Sequence, residues 1–138
     1  MKHILLTLLL LSPLISGEQN ILDCSANSLR ASGLPTTKLD GSSYMSLTIN
    51  SDKKLVDVYI NTWGFASNIN YITKGNQTIE FEVIINRGEQ TNLINNYTLN
   101  RISGEFVEKT NKYSSSNKKF IENLFTTYGI CSKKKAIF

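Results

Sequence analysis

The clearest pattern in the chain is an alternation of apolar and polar residues with a period of two, which is typical of half-buried β-strands. It runs through residues 44–49 and 55–60, and the polar segment 50–54 separates these runs, so a hairpin is predicted there. The most regular alternation lies in residues 79–85. Because a helix repeats every 3.6 residues, this spacing favours strands.

Further strands are predicted where turn-forming residues bracket short runs of apolar residues. Residues 69–73, 97–102, 105–109 and 126–131 meet this description. The second and third of these are separated only by Ser103 and Gly104, which predicts a tight connection between them. Together with the first three runs they indicate a chain built mainly of short strands.

One segment departs from the strand pattern and is compatible with a short helix near residues 117–125. Ser116 is a suitable N-cap, and Phe120, Leu124 and Phe125 would fall on one side of the helix. The expected fold is therefore all-β: a small antiparallel barrel or sandwich of about six to eight strands, with or without this one helix.

Residues 1–17 have the order of a secretory signal peptide, with basic Lys2, an apolar run at 4–11 and small residues ending at Gly17. A membrane-spanning helix needs roughly 18 or more apolar residues, and this run is shorter. We expect cleavage near Gly17. The mature protein, residues 18–138, is then long enough for one β-domain and has no membrane span.

The chain contains two cysteines, Cys24 and Cys131, near the two ends of the expected mature protein. An even number of cysteines in an exported chain predicts a disulfide. The single intramolecular pairing would join the two ends of the domain and stabilise it by roughly 4 to 5 kcal/mol on the chain-entropy account. Two free thiols, or a bridge between chains, are the alternatives.

The only histidine, His3, lies inside the expected signal peptide. Histidine is the usual general base near neutral pH and a common metal ligand, so its absence argues against Ser-His-Asp or Cys-His catalysis and most zinc sites. No phosphate-binding glycine loop or calcium-loop spacing is present. We therefore expect that the protein is not an enzyme. We expect no catalytic, cofactor-binding or metal-binding residues in it, and no cofactor.

Glu80 and Glu82 are the one arrangement that could support hydrolysis. Two residues apart on one strand face, they lie about 6 to 7 Å apart, near the carboxylate spacing of inverting glycosidases. The alternative is that they form the solvated face of strand 79–85, whose apolar residues occupy the other face. A carboxylate-based hydrolase is the least favoured of the functions considered.

Basic residues are concentrated near the C-terminus. The expected mature chain has 14 basic and 11 acidic residues, a formal charge of +3. Lys133, Lys134 and Lys135, with Lys118 and Lys119, could form a patch that binds an anionic envelope component or an acidic protein. An ordinary solvated tail is the alternative. The charge is too small to predict nucleic-acid binding.

Residues 99–105 (LNRISGE) and 129–131 (GIC), with a basic C-terminal run, resemble small exported proteins of bacteria. Those proteins share an early Cys, an Asn-Arg-x-Ser/Thr-Gly turn and a late Gly-x-Cys. The resemblance implies a periplasmic β-domain and carries no activity. Within such a turn, Asn100 and Arg101, beside Gly104, are expected to stabilise the hairpin through hydrogen bonds to backbone carbonyls.

These observations favour a non-enzymatic exported domain, periplasmic or secreted and monomeric, that binds a protein or an envelope component. One alternative is a small-ligand-binding barrel with a pocket among Trp63, Phe65, Tyr71 and Phe81. Another is an enzyme-inhibitor-like protein, because the size and layout are similar to those of periplasmic lysozyme inhibitors. The sequence contains no matching inhibitory loop motif.

Overall fold

The computed structural model describes residues 19–134 and shows one antiparallel sheet that is nearly closed into a barrel. The all-β prediction is confirmed, but the strand count was wrong, since residues 19–134 form ten strands. Among the described residues there is no helix at all, and hence none that could cross a membrane. The expected signal peptide, residues 1–17, lies outside the described part of the chain. The strands are β1 (Gln19–Ala31), β2 (Thr37–Lys38), β3 (Ser43–Asn50), β4 (Leu55–Ile60), β5 (Gly64–Asn70), β6 (Ile72–Lys74), β7 (Thr78–Arg87), β8 (Thr91–Asn100), β9 (Glu105–Ser114) and β10 (Phe120–Lys133).

The ten strands occupy eight positions around the barrel. Their order in the sheet is β5-β4-β3-β1-β10-β9-β8-β7-β6, and β2 pairs with β1 beside β3. Only Tyr71 separates β5, which pairs with β4, from β6, which pairs with β7. These two strands therefore act as one kinked strand that joins the two ends of the sheet. The count was too low because one kinked strand is split into β5 and β6 and because β1 and β2 were not predicted.

The barrel interior is built from the inward residues of the alternating pattern. On β3 these are Met45, Leu47 and Ile49, each at most 1% exposed. On β7 they are Ile79 and Phe81, and Val83 follows in the same phase. Burying each such side chain stabilises the fold by about 1.5 to 3 kcal/mol. The remaining members of the apolar core are Leu22, Cys24, Val56, Val58, Ile60, Tyr71, Tyr97, Leu99, Phe106 and Cys131.

The prediction of a helix near residues 117–125 is wrong, because β10 begins at Phe120 and pairs with β9. The pairing register shifts between Phe120 and Glu122 and again between Asn123 and Phe125. Each shift inserts an extra residue, as a β-bulge does. The apolar residues of this segment consequently fall out of the period-two pattern, and their spacing imitates a helix.

The disulfide between Cys24 and Cys131 is present, with both residues buried and paired in register on β1 and β10. It ties the first strand of the domain to the last. Nearby on β10, Gly129 allows Phe106 to lie directly on the strand. A Cβ at this position would overlap the backbone oxygen of Ser25 and the Phe106 ring.

Candidate binding groove and buried carboxyl

The outer face of β7 and β8 carries alternating polar and apolar side chains. Residues that lie opposite each other on antiparallel strands share a face. Glu82 lies opposite Asn96, and Ile84 lies opposite Ile94. Because Phe81 and Val83 point into the barrel, the residues between and beyond them point outward. The sequence alternation therefore places a mixed polar and apolar surface on the outside of the sheet.

Two clefts lie on this outer face and meet at Glu82. The larger has a volume of about 420 Å³ and the smaller about 350 Å³. We call the combined surface the outer groove. Along β7 it runs from Glu80 to Arg87, which is roughly 20 Å at about 3.3 Å per residue. The larger cleft is lined by Glu82, Ile84, Arg87, Asn92, Ile94, Tyr113, Ser114 and Lys118. The smaller is lined by Asn70, Ile72, Glu80, Phe81, Glu82, Asn96 and Tyr97.

A β-bulge brings Arg87 into the larger cleft. Strict alternation from Val83 would put residue 87 on the inner side of the sheet. The register shifts between Ile84 and Asn86, however, so that Arg87 lies opposite Asn92. Asn92 lines the outer groove, and its cross-strand partner therefore does so too.

Hydrogen bonds join the two turns that border the larger cleft. Ser115, in the β9–β10 turn, donates its side-chain hydroxyl to the carbonyl of Gly88 (2.7 Å) and lies 3.1 Å from Asn92 Oδ1. The backbone N–H of Ser115 donates to the carbonyl of Gln90 at 2.9 Å. The β7–β8 turn is thereby fixed to the β9–β10 turn, which holds the basic end of the groove in place.

The charged groups of the larger cleft have opposite signs. Arg87 and Lys118 are basic, Glu82 is acidic, and all three are exposed. Within residues 19–134 none of these three side chains forms an ion pair, whereas Glu80, in the smaller cleft, pairs with Lys74 at 3.4 Å. The groove thus has an acidic end at Glu80 and Glu82 and a basic end at Arg87 and Lys118.

The barrel interior contains a buried carboxyl group that the sequence analysis missed. Glu108 is 3% exposed. Its Oε1 accepts a hydrogen bond from the Tyr44 hydroxyl at 2.7 Å, while its Oε2 is buried and, among the described residues, has no hydrogen-bond partner of normal geometry. The signal was available, since Glu108 has the same inward parity as Phe106 on the predicted strand 105–109. A charged residue at a core position marks a special environment.

Burial raises the pKa of the Glu108 carboxyl, although the nearby hydroxyl groups of Tyr97, Tyr44 and Thr127 favour its charged form. No cation forms an ion pair with it within residues 19–134. Burial together with the Glu108 charge also raises the pKa of Tyr44 and of Tyr97. Asn95 donates to the Tyr97 hydroxyl at 3.0 Å, which extends the polar cluster across the interior.

The turn that contains Asn100, Arg101 and Gly104 is stabilised differently from the expectation. Asn100 Oδ1 accepts hydrogen bonds from the backbone N–H groups of Ile102 (2.8 Å) and Ser103 (3.0 Å). The partners of this side-chain oxygen are therefore backbone N–H groups, whereas backbone carbonyls were expected. Gly104 has φ +81° and donates its N–H to the carbonyl of Asn100. The backbone N–H of Arg101 donates to the carbonyl of Gln77, which joins this turn to its neighbour.

The basic residues considered together in the sequence do not form one patch. Lys133 and Lys134 are exposed at the end of β10, and Lys135 lies outside the described residues. Lys118 and Lys119 precede the start of the same strand. A 14-residue strand is roughly 40 Å long, so the two groups lie at opposite ends of the domain.

The four aromatic residues suggested as a ligand pocket do not come together. Tyr71 and Phe81 are buried in the core, whereas Trp63 and Phe65 are 37% and 62% exposed on and beside β5. Phe65 pairs with exposed Tyr59, so it points away from the barrel. Glu80 and Glu82 do share the smaller cleft.

Arg87, Lys118 and Tyr113 are the groove residues that the sequence analysis did not bring together. The proximity of these side chains depends on a bulge and on contacts between turns, and the sequence pattern shows neither. Comparison of the chain with protein-family models, with curated proteins and with solved structures finds no match. The disulfide is present, and the rest of the likeness to small exported bacterial proteins stays a prediction.

Proposed function

We propose that this protein is an exported, non-enzymatic binding domain that holds an extended segment of a partner protein in the outer groove. The observation that carries the proposal is the polarity of the groove, which is acidic at Glu82 and basic at Arg87 and Lys118. The buried disulfide fits an exported protein. The groove length accommodates about six residues of extended chain.

The chemistry of the groove suits a peptide better than an anionic lipid surface. An anionic surface would be attracted to Arg87 and Lys118 but repelled by Glu82 between the two clefts. A peptide with one acidic and one basic side chain satisfies both ends. The side-chain amides of Asn92 and Asn96 can bond its backbone, and Ile84 and Ile94 can pack against an apolar side chain.

Selection from a displayed library of random ten-residue peptides tests the proposal, with the oxidised full chain as the target. We expect enriched peptides to carry an acidic and a basic residue several positions apart. The double variant Arg87→Glu/Lys118→Glu should weaken their binding more than tenfold, because two attractions become repulsions. The matched control Lys133→Glu/Lys134→Glu makes the same change in charge at the far end of β10 and should bind normally. Failure to enrich any peptide, or equal loss in both double variants, would overturn the proposal.

A small-ligand-binding domain is the second candidate. The observation that favours it is the 420 Å³ volume of the larger cleft, which lies within the usual range for ligand pockets of about 300 to 1,000 Å³. It predicts a co-purified molecule that native mass spectrometry of the exported protein would detect. Under this candidate the molecule would be lost in the Arg87→Glu/Lys118→Glu variant.

A further inference from the structure

We infer that the basic end of the outer groove is a carboxylate-binding subsite, formed by Arg87 and Lys118 and specific for an acidic side chain of the bound segment. The inference rests on the proposed function and names the chemistry that one end of the groove recognises. Two local departures from regular backbone structure carry it, and both direct a cation into the same cleft.

The first departure is the bulge in β7. Without the extra residue Ile85, residue 86 would lie opposite Asn92 on the outer face and Arg87 would point to the inner side. With it, Arg87 lines the cleft beside Asn92, and Asn86 lies opposite Leu93. Bulges are common next to functional sites, where they redirect a side chain.

The second departure is the conformation of Lys118. Its φ is +59°, a left-handed conformation that glycine or asparagine adopts more readily than lysine. Its N–H donates to the carbonyl of Ser114 at 2.9 Å, which closes the β9–β10 turn. The turn would form equally well with glycine, so the lysine side chain adds nothing that this backbone requires. What it adds is a positive charge in the cleft.

The two cations and their neighbours fit a carboxylate. A guanidinium can donate two parallel hydrogen bonds to one carboxylate, and the Lys118 ammonium can supply a third donor. Asn92 and Ser114 line the same cleft and offer further donors. Glu82 limits the total negative charge that the cleft tolerates, which favours a carboxylate of charge −1 over a doubly charged phosphate.

A composition-matched variant tests the role of the bulge. Exchanging the two residues, Asn86→Arg/Arg87→Asn, leaves the charge and composition unchanged but moves the guanidinium to the inner side. Both positions are exposed, so the exchange does not disturb the core. The probes are propionate, a monocarboxylate that resembles a glutamate side chain, followed by NMR at the backbone amide of residue 118, and the acidic peptides selected above. We expect binding of both probes to weaken about tenfold, as for loss of a charge-assisted hydrogen bond.

The variant Lys118→Gly supplies a second test that does not threaten folding. Glycine accepts the left-handed conformation, so the unfolding temperature should not fall, while propionate binding should weaken about tenfold. Lys119→Gly, in the same turn but outside the cleft lining, is the control for binding. Unaltered propionate binding in both the exchanged variant and Lys118→Gly would overturn the inference, as would tighter binding of inorganic phosphate than of propionate.

The outcomes separate the subsite from the proposed function. If no peptide is selected but propionate shifts the wild-type resonances of Arg87 and Lys118, the subsite stands and the peptide-binding function fails. If peptides bind the wild type and the exchanged variant equally well, the function stands and the subsite is refuted.

Discussion

The inner and outer faces of β7, β8 and β9 each carry a carboxylate, and the two groups have different surroundings. Glu108, on the inner face, is buried among Tyr44, Tyr97 and Thr127 with no cation paired to it in the described chain. Glu82, on the outer face, is exposed in a cleft that also contains two cations. The contrast indicates that the inner face determines stability and that the outer face is available for recognition. Substitutions on the two faces should therefore affect different measurements.

The largest effect is expected from removal of the disulfide on the inner face. Replacing both Cys24 and Cys131 by alanine opens a loop that spans 107 residues, which should cost roughly 4 to 5 kcal/mol of unfolding free energy on the chain-entropy account. Denaturant unfolding of the variant against the oxidised wild type measures the difference. A loss below about 1 kcal/mol would mean that the inner face does not depend on this bond.

A somewhat smaller loss is expected for Gly129→Ala. The added methyl group would overlap the Ser25 backbone and the Phe106 ring, so the unfolding free energy should fall by about 3 kcal/mol or more. Gly33→Ala is the control, since Gly33 has positive φ but open space around it and should lose only about 1 to 2 kcal/mol. Equal losses in the two variants, measured by denaturant unfolding, would show that close packing at Gly129 is not the cause.

The pH dependence of stability should identify Glu108. Its folded-state pKa is raised above the ordinary value of 4.5, so the native state binds more protons than the unfolded state over the interval between the two values. The contribution of Glu108 to stability is therefore fully present below about pH 4.5 and is lost as the pH rises through its folded-state pKa. In Glu108→Gln this loss should shrink. Residues 19–134 contain no histidine, so no imidazole contributes to the trend.

Tyr44→Phe refines this test. The Tyr44 hydroxyl donates to Glu108 Oε1 and favours the charged form, so its removal should raise the carboxyl pKa further. The loss of stability should then continue to higher pH than in the wild type, because it ends only at the folded-state pKa. Thermal unfolding at a series of pH values follows both variants. If wild type and Glu108→Gln show the same pH profile, burial does not perturb Glu108.

The smallest effect on stability is expected on the outer face. Arg87→Gln and Lys118→Gln should each change the unfolding free energy by less than about 0.5 kcal/mol, because both side chains are exposed and form no ion pair within residues 19–134. The same variants should lose binding of the selected peptides. A large stability loss at either position would break the division of roles between the two faces.

The inner face was largely predictable from the sequence, and the basic end of the groove was not. Period-two alternation located Met45, Leu47 and Ile49 correctly, because one face of each strand must leave water. It failed at β1, where exposed Ile21 interrupts the contrast between the faces. It also failed at β10, where two register shifts change the phase.

The groove depends on the same kind of irregularity. A bulge reverses the side on which Arg87 lies, and no local sequence feature marks the extra residue. The proximity of Lys118 to Arg87 requires the β7–β8 and β9–β10 turns to meet, which is a consequence of the whole sheet order. Alternation alone predicted only the outward placement of Glu80 and Glu82.

The central claim is that an extended partner segment lies in the outer groove, and NMR mapping of a selected peptide on the oxidised protein tests it most directly. The account predicts that shift changes concentrate on the outer face at Glu82, Ile84, Asn92, Ile94 and Lys118. Changes concentrated instead at Lys133 and Lys134, or at the interior residues around Glu108, would contradict it.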